Sequence, residues 1–165
     1  MNISLQQATP GDILRISALA RRIWMKHYPP IIGEKQVEYM LELFYAPEAL
    51  QQQMEEGQIF KLIMEGDEVL GFLSVSNKGE GRYFLHKFYL DNKRHGQGLG
   101  KMAFERLIAG YPDLHELRLT VNRQNYKSIN FYFKIGFTIE KCVDISIGEG
   151  YVMDDFQMLW RRHTV

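Results

Sequence analysis

Asp91-Asn92-Lys93-Arg94-His95-Gly96-Gln97-Gly98-Leu99-Gly100-Lys101 joins an aromatic-rich stretch that reads as a strand, Phe84-Leu85-His86-Lys87-Phe88-Tyr89-Leu90, to an amphipathic helix. Such a junction is a place to hold phosphate. Glycines at 96, 98 and 100 let the backbone turn tightly and let an anion approach without hindrance from a Cβ. The first N–H groups of the following helix, at its positive end, are then available to the ligand. Lys101 adds a cation there. Downstream, Leu99, Met102, Ala103, Leu107 and Ile108 recur at helical spacing, and Gly110 with Pro112 ends the helix.

A glycine-rich turn can equally be a tight connection with no ligand, so its neighbours matter. A Walker loop needs Gly-Lys followed by Ser or Thr for magnesium, and here Met102 follows Gly100-Lys101. A Rossmann fingerprint needs Gly-x-Gly-x-x-Gly and an acidic residue on the next strand. This spacing is Gly-x-Gly-x-Gly, and the next strand ends in Asn122.

The second half of the chain supplies a different context. Glu116-Leu117-Arg118-Leu119-Thr120-Val121-Asn122 alternates as a strand, and Asn125 opens a short helix carrying Ile129, Tyr132 and Phe133, closed by Gly136. The two signatures together resemble the GNAT superfamily of acyl-CoA-dependent N-acyltransferases. Its pyrophosphate motif, Arg/Gln-x-x-Gly-x-Gly/Ala, is matched by His95-Gly96-Gln97-Gly98-Leu99-Gly100, with His95 in place of the usual Arg or Gln. Lys93 and Arg94 keep the approach cationic. The later pattern is matched by Asn125, Ser128, Tyr132, Gly136 and Phe137, and the resemblance runs from Ile3 to Arg161.

Composition fits one enzyme domain over residues 1–165. Twenty Lys and Arg balance twenty Asp and Glu, so no global field favours nucleic acid or an anionic membrane. Cys142 is the single cysteine, which excludes an intramolecular disulfide and a thiolate metal site and fits a reducing compartment. The start Met1–Gln7 lacks a signal-peptide pattern and no apolar run reaches membrane-spanning length, so a cytoplasmic location is expected. No metal is expected.

Periodicity places a strand near 2–8, a helix over 11–27 with a buried stripe of Leu14, Ile16, Leu19 and Ile23, a loop at 28–33, and helical segments over 34–44 and 47–56. Strands follow at 58–64 and 68–76 around the turn Glu65-Gly66-Asp67, then at 82–91. Past the two signatures, 138–147 and 151–161 read as strands joined through Gly148-Glu149-Gly150. The resemblance implies the order β-α-α-β-β-β-α-β-α-β-β, an α/β (α+β) fold with a mixed, mostly antiparallel sheet flanked by helices. In that fold the strand before the glycine turn splays from its neighbour, and the pantetheine arm of acetyl-CoA runs along the backbone of Phe88, Tyr89 and Leu90. The side chains of Phe88 and Leu90 read as core. Asn125 reads both as a helix cap and as a cofactor contact.

Acetyl transfer needs a neutral amine to attack the thioester and a proton for the departing thiolate. Near pH 7 only about one alkyl ammonium in 2,500 is the free base, so a base or a desolvating pocket must help. The resemblance makes Tyr132 the general acid. An unperturbed phenol is a weaker acid than a thiol, by about 2 kcal/mol in transfer, which suits hydrogen bonding to the developing thiolate and late proton transfer. Packing on its helix is the plain alternative for Tyr132. The family's usual carboxylate before the glycine loop aligns with His86, whose ordinary pKa of about 6.5 suits a neutral-pH base. Glu149, Asp154 and Asp155 are alternative bases.

The acceptor is read as a small cationic amine, such as a polyamine, or a peptide amine. Trp24, Tyr28 and Tyr39, with His27, offer aromatic surface, and Glu149, Tyr151, Asp154 and Asp155 offer carboxylates and a further ring. Core packing is the alternative for Trp24 and Tyr39. The chain also weakly resembles the bacterial polyamine-acetylating branch of the superfamily, through the two signatures and Gly150-Tyr151-Val152-Met153-Asp154-Asp155. The reading is thus an acetyl-CoA-dependent N-acetyltransferase, an acyltransferase of EC 2.3.1 type. The alternative is a non-catalytic acyl-CoA-binding regulatory module on the same fold. Dimers are common in such proteins, which leaves a homodimer open.

Overall fold

A computed structural model describes residues 2–91 and 96–163. In chain order the elements are β1 (Ile3–Gln7), α1 (Ile13–His27) preceded by a 3₁₀ turn at Pro10–Asp12, α2 (Pro29–Ile32), α3 (Glu34–Tyr45), α4 (Pro47–Glu55), β2 (Ile59–Glu65), β3 (Glu68–Asn77), β4 (Arg82–Leu90), α5 (Leu99–Gly110), β5 (Glu116–Asn122), α6 (Tyr126–Lys134), β6 (Thr138–Gly148) and β7 (Tyr151–Arg161). The strands hydrogen-bond in the order β1-β2-β3-β4-β5-β7-β6. The β4–β5 ladder is parallel and pairs Arg82–Phe84 with Glu116–Arg118, whereas β1–β2, β2–β3, β5–β7 and β6–β7 are antiparallel. This is the mixed, mostly antiparallel α/β architecture expected.

Two local readings change. The 28–33 segment is not all loop, because Pro29 and Pro30 start the short helix α2 in the first-turn positions that tolerate proline. The buried stripe of α1 runs through Ile13, Ile16, Leu19, Ala20, Ile23 and Trp24, while Leu14 is 73% exposed. Helix α1 begins one residue earlier in phase than the spacing of Leu14 suggested, because Asp12 closes the 3₁₀ turn and Ile13 takes the inward position.

The chain forms two compact units. The first comprises Met1–Ser76 and His86–Pro112. Its core joins Ile16 and Ala20 of α1, Val37 and Leu41 of α3 and Leu50 of α4 with Phe60, Leu62, Phe72 and Val75 of β2 and β3, all buried. Arg106 of α5 donates from Nε to the carbonyl of Ile3 at 3.1 Å, tying that helix to β1. The second unit comprises Asn77–Leu85 and Asp113–Val165. Leu117, Leu119 and Val121 alternate inward along β5, α6 contributes Ile129 and Tyr132, and Phe137, Met158 and Leu159 complete the core. At the sheet's end, β6 is an edge strand whose Ile139, Cys142 and Ile145 are exposed.

One contact in the first unit sets how β3 meets β4. A Cβ on Gly71 would lie 2.0 Å from the carbonyl oxygen of Tyr89 and 2.9 Å from Cα of Leu90. Only a residue without a side chain lets the two backbones approach this closely, and the contact falls on the segment assigned to the pantetheine arm. Gly71→Ala must push the strand away, at a cost of roughly 1–3 kcal/mol, lowering Tm by about 3–10 °C. Gly110→Ala, where a Cβ meets nothing within 4 Å, is the control and leaves Tm within about 2 °C. Thermal unfolding of the two variants checks this.

Candidate functional site

The glycine turn has the backbone that an anion requires. Gly96 and Gly98 sit at φ +85° and +73°, a region that L residues with side chains avoid, and Gly98 is the N-cap of α5 in the left-handed conformation. Gly98 has no side chain to bond back to the helix, so the cap residue itself offers no competing acceptor to the first-turn amides. The carbonyl of Gly98 accepts from Met102 N at 3.1 Å, which closes the first turn. Leu99 is buried and anchors the start of the helix, while Gly96, Gln97, Gly98 and Lys101 are exposed and Gly100 is half-buried. His95, with Lys93 and Arg94, lies outside the described residues.

The strand leading into the turn is fastened at its end. Asp91 donates from its backbone N–H to the carbonyl of Leu70 at 2.8 Å, and its carboxylate accepts from Arg22 Nη2 at 2.9 Å. Phe88, Tyr89 and Leu90 are half-buried, so Phe88 and Leu90 are not the core residues expected from an apolar run in a strand. His86 is half-buried and its Nε2 lies 2.7 Å from the hydroxyl of Ser76, a bond that fixes the ring.

Lys87 takes the buried place instead, at 7% exposure. Its amine donates to Gln58 Oε1 at 3.2 Å, and the same oxygen accepts from the Ser74 hydroxyl at 2.9 Å. The rings of Tyr45 and Phe60 stand 5.5 and 5.3 Å from Nζ. Burial alone lowers its pKa from the ordinary lysine value to about 7, so a large share of the molecules carry it uncharged near neutrality.

Beside it lies an aromatic cluster. Trp24 packs on Tyr28 at 4.4 Å, on Tyr45 at 5.4 Å and on Tyr89 at 5.7 Å between ring centroids, and Phe72 meets Tyr45 and Tyr89 at 5.9 and 5.7 Å. His27 packs edge-on to Tyr28. Trp24 and Tyr28, offered by the sequence as acceptor-binding residues, are therefore built into a packed aromatic wall that includes Tyr89. The indole N–H of Trp24 is buried with no acceptor in hydrogen-bond geometry, although it is near enough to Tyr45 to ease that phenol's ionisation slightly. Burial dominates there and pushes the Tyr45 pKa well above its ordinary value.

In the second unit, Asn125 is buried and caps α6, its Oδ1 accepting from Ser128 N at 3.4 Å. Tyr132 is 9% exposed on that helix, with Phe131 and Phe137 each 5.4 Å away between centroids. Gly136, at φ +107°, ends the helix. The two neighbouring acids of β7 separate sharply. Asp154 is exposed and 3.6 Å from Arg123, which also holds Asp144 at 2.7 Å. Asp155 is 4% exposed, opposite Asn122 in the ladder, and burial raises its pKa to about 6 against the opposing pull of Thr120 and Arg123. Glu149 sits exposed at φ +54° between Gly148 and Gly150, beside half-buried Tyr151. Among the described residues, no group of His, Cys, Asp or Glu side chains could hold a metal ion.

Sequence reasoning missed Lys87. A lone lysine in an apolar strand carries no signal of its own, and only Phe60 and Tyr45, distant in the chain, make it unusual. It also missed the burial of Asp155, since two adjacent acids near a turn normally face water.

Comparison with known proteins gives the family and the fold. The "Peptidyl-lysine N-acetyltransferase YjaB" of Salmonella typhimurium is 28% identical over 86 residues, which is 52% of this chain and about half, 54%, of that protein. Its Escherichia coli counterpart is 25% identical over 117 residues, covering 71% of this chain and 72% of that protein. The crystal structure of a PaiA N-acetyltransferase from Thermoplasma acidophilum, in complex with coenzyme A, superposes with a TM-score of 0.78 over 98% of this chain and 100% of that one, at 23% identity, a likeness of fold. The model of the acetyltransferase (GNAT) family matches residues 19–137, taking in the glycine turn, Asn125 and Tyr132. Motif, fold and family model converge, and the chain belongs to the acetyltransferase (GNAT) family.

Proposed function

We propose that this GNAT domain moves the acetyl group of acetyl-CoA to a primary amine, on a peptide or a small cationic molecule, by direct attack on the thioester. The observation that carries the reading is the left-handed glycine start of α5 at the family's pyrophosphate motif, whose cap residue has no side chain to occupy the first amides. Gly96–Lys101 would take the pyrophosphate, with His95 ahead of them. The backbone of Phe88–Leu90 would take the pantetheine arm, and Asn125 and Ser128 would add cofactor contacts.

Tyr132 is the proton donor to the departing thiolate. Its packing between Phe131 and Phe137 limits the ring to few orientations, which supports a role that depends on aim. Two groups are suited to take the ammonium proton. His86 is held by Ser76, and Asp155, with a pKa of about 6, accepts a proton near neutrality far better than an ordinary carboxylate. On the second unit, Tyr151 with Glu149, Asp154 and Asp155 would receive the cation, and the names of the YjaB relatives favour a lysine side chain over a polyamine as its bearer.

Release of free thiol from acetyl-CoA, measured with a lysine peptide, spermidine and a neutral amine, tests the activity. Amine-dependent release is expected, greatest with the cationic acceptors. Cofactor binding without such release would favour the regulatory acyl-CoA-binding module. Tyr132→Phe should lower kcat by about 10- to 100-fold and leave acetyl-CoA affinity within about twofold, because it deletes a proton and keeps the ring. Equal turnover would remove Tyr132 from the mechanism. The base shows itself in kcat/KM against pH: the acidic limb should vanish in either His86→Ala or Asp155→Asn, and survival of that limb in both would exclude the pair.

A further inference from the structure

We propose that Lys87, with its amine uncharged, is a positioning residue for acetyl-CoA, held by Gln58 between Tyr45 and Phe60 so that Phe88–Leu90 keeps the backbone conformation that receives the pantetheine arm. The proposal rests on the reading of that segment given above.

The socket is built for a neutral amine. An ammonium has three donors and requires acceptors or water for each, yet among the described residues Lys87 meets one neutral oxygen, that of Gln58, already shared with Ser74. Among the described residues, the groups that meet it are neutral: Gln58 just before β2, Phe60 on β2 and Tyr45 on α3, with Ser74 of β3 on the shared Gln58 oxygen. Tyr45 stays protonated through neutral pH because burial pushes its pKa well above the ordinary phenol value. Neighbouring His86 is held through its Nε2 by the Ser76 hydroxyl. Two ring faces soften the charge but do not replace a counter-ion, and burial accounts for the whole lowering of the Lys87 pKa to about 7.

That socket is also joined to the cofactor segment. Lys87 immediately precedes Phe88, and Tyr45, over whose ring its amine stands, packs on Trp24 and Phe72, both of which pack on Tyr89. Tyr89 in turn lies where β4 passes Gly71 closely enough that a Cβ there would clash with its carbonyl. A charged Lys87 gains by leaving the socket for water, and its departure unseats the ring of Tyr45 and, through Trp24 and Phe72, the ring of Tyr89 on this segment of β4. Acetyl-CoA that needs the segment in place therefore favours the neutral amine, and by linkage the neutral amine favours acetyl-CoA. The sign follows: affinity is full above the Lys87 pKa and falls as pH drops through about 7.

The test is calorimetric titration with acetyl-CoA at pH 6 and pH 8, on the wild type, Lys87→Met and Lys87→Arg, with circular dichroism confirming folding. Methionine fills the socket without charge, and arginine keeps the charge at both values. Full coupling weakens wild-type binding up to about tenfold from pH 8 to pH 6, beyond the change that ionisation of the CoA phosphate gives every variant. Lys87→Met should show that common change alone, and Lys87→Arg, where folded, should bind weakly at both pH values. In steady-state kinetics the Lys87 effect should appear in KM for acetyl-CoA and not in kcat, which a general loss of stability would not select. A pH step of the same size in the wild type and Lys87→Met overturns the proposal and leaves the acetyltransferase reading intact. A wild type that fails to bind acetyl-CoA at either pH overturns both.

Discussion

A helix that is to give its first amides to an anion cannot spend them on its own cap. The chain contains both solutions. Helix α6 uses Asn125, whose carbonyl oxygen takes the amide of Ser128, so part of that N-terminus is satisfied internally. Helix α5 starts on left-handed Gly98, which has no side chain to offer its first amides. Much of the first unit serves to hold this bare start in place. Leu99 is buried at its base, Arg106 ties the helix to Ile3, and Asp91 is fixed by Arg22 and Leu70 before the turn begins.

Two perturbed ionisable groups on the sheet, Lys87 and Asp155, are of opposite sign but share one cause. Each is buried, and burial favours the uncharged form of each: the amine loses its proton more readily and the carboxyl keeps it longer. Their pH windows differ accordingly. Against its unfolded value, Lys87 weakens the fold most below about pH 7, and that penalty is relieved as pH rises toward the ordinary lysine value. Asp155 acts in the reverse sense, its penalty growing as pH rises from the ordinary aspartate value through about 6. Near neutrality both groups sit close to a change of charge, which is the condition for moving protons cheaply.

Most of the architecture could be read from periodicity and punctuation. The alternation of Leu117, Leu119 and Val121, the cap at Asn125, the end at Gly136 and the glycine turn were all local patterns, and each reappears in the structure. What escaped was pairwise. The sharp approach at Gly71 is a property of two strands, and nothing in the sequence around Gly71 names Tyr89 as the backbone it must clear. The run Phe88-Tyr89-Leu90 looked like core because apolar strands usually are, yet the buried side chain of that strand's second half is Lys87, whose aliphatic stem passes for an apolar one when rings enclose it. Leu14 misled for a simpler reason: both Ile13 and Leu14 fit an apolar stripe, and the 3₁₀ turn before α1 decides which one faces inward.

Cys142 gives the molecule a single chemical address. It is the one thiol in the sequence, it stands exposed on the edge strand β6, and its neighbour across the ladder is Phe156 of β7. A fluorophore or spin label attached there needs no engineered background, because no other cysteine competes for the reagent. It would report on the β6–β7 ribbon of the second unit while leaving the glycine turn, the Lys87 socket and the aromatic wall of the first unit chemically untouched.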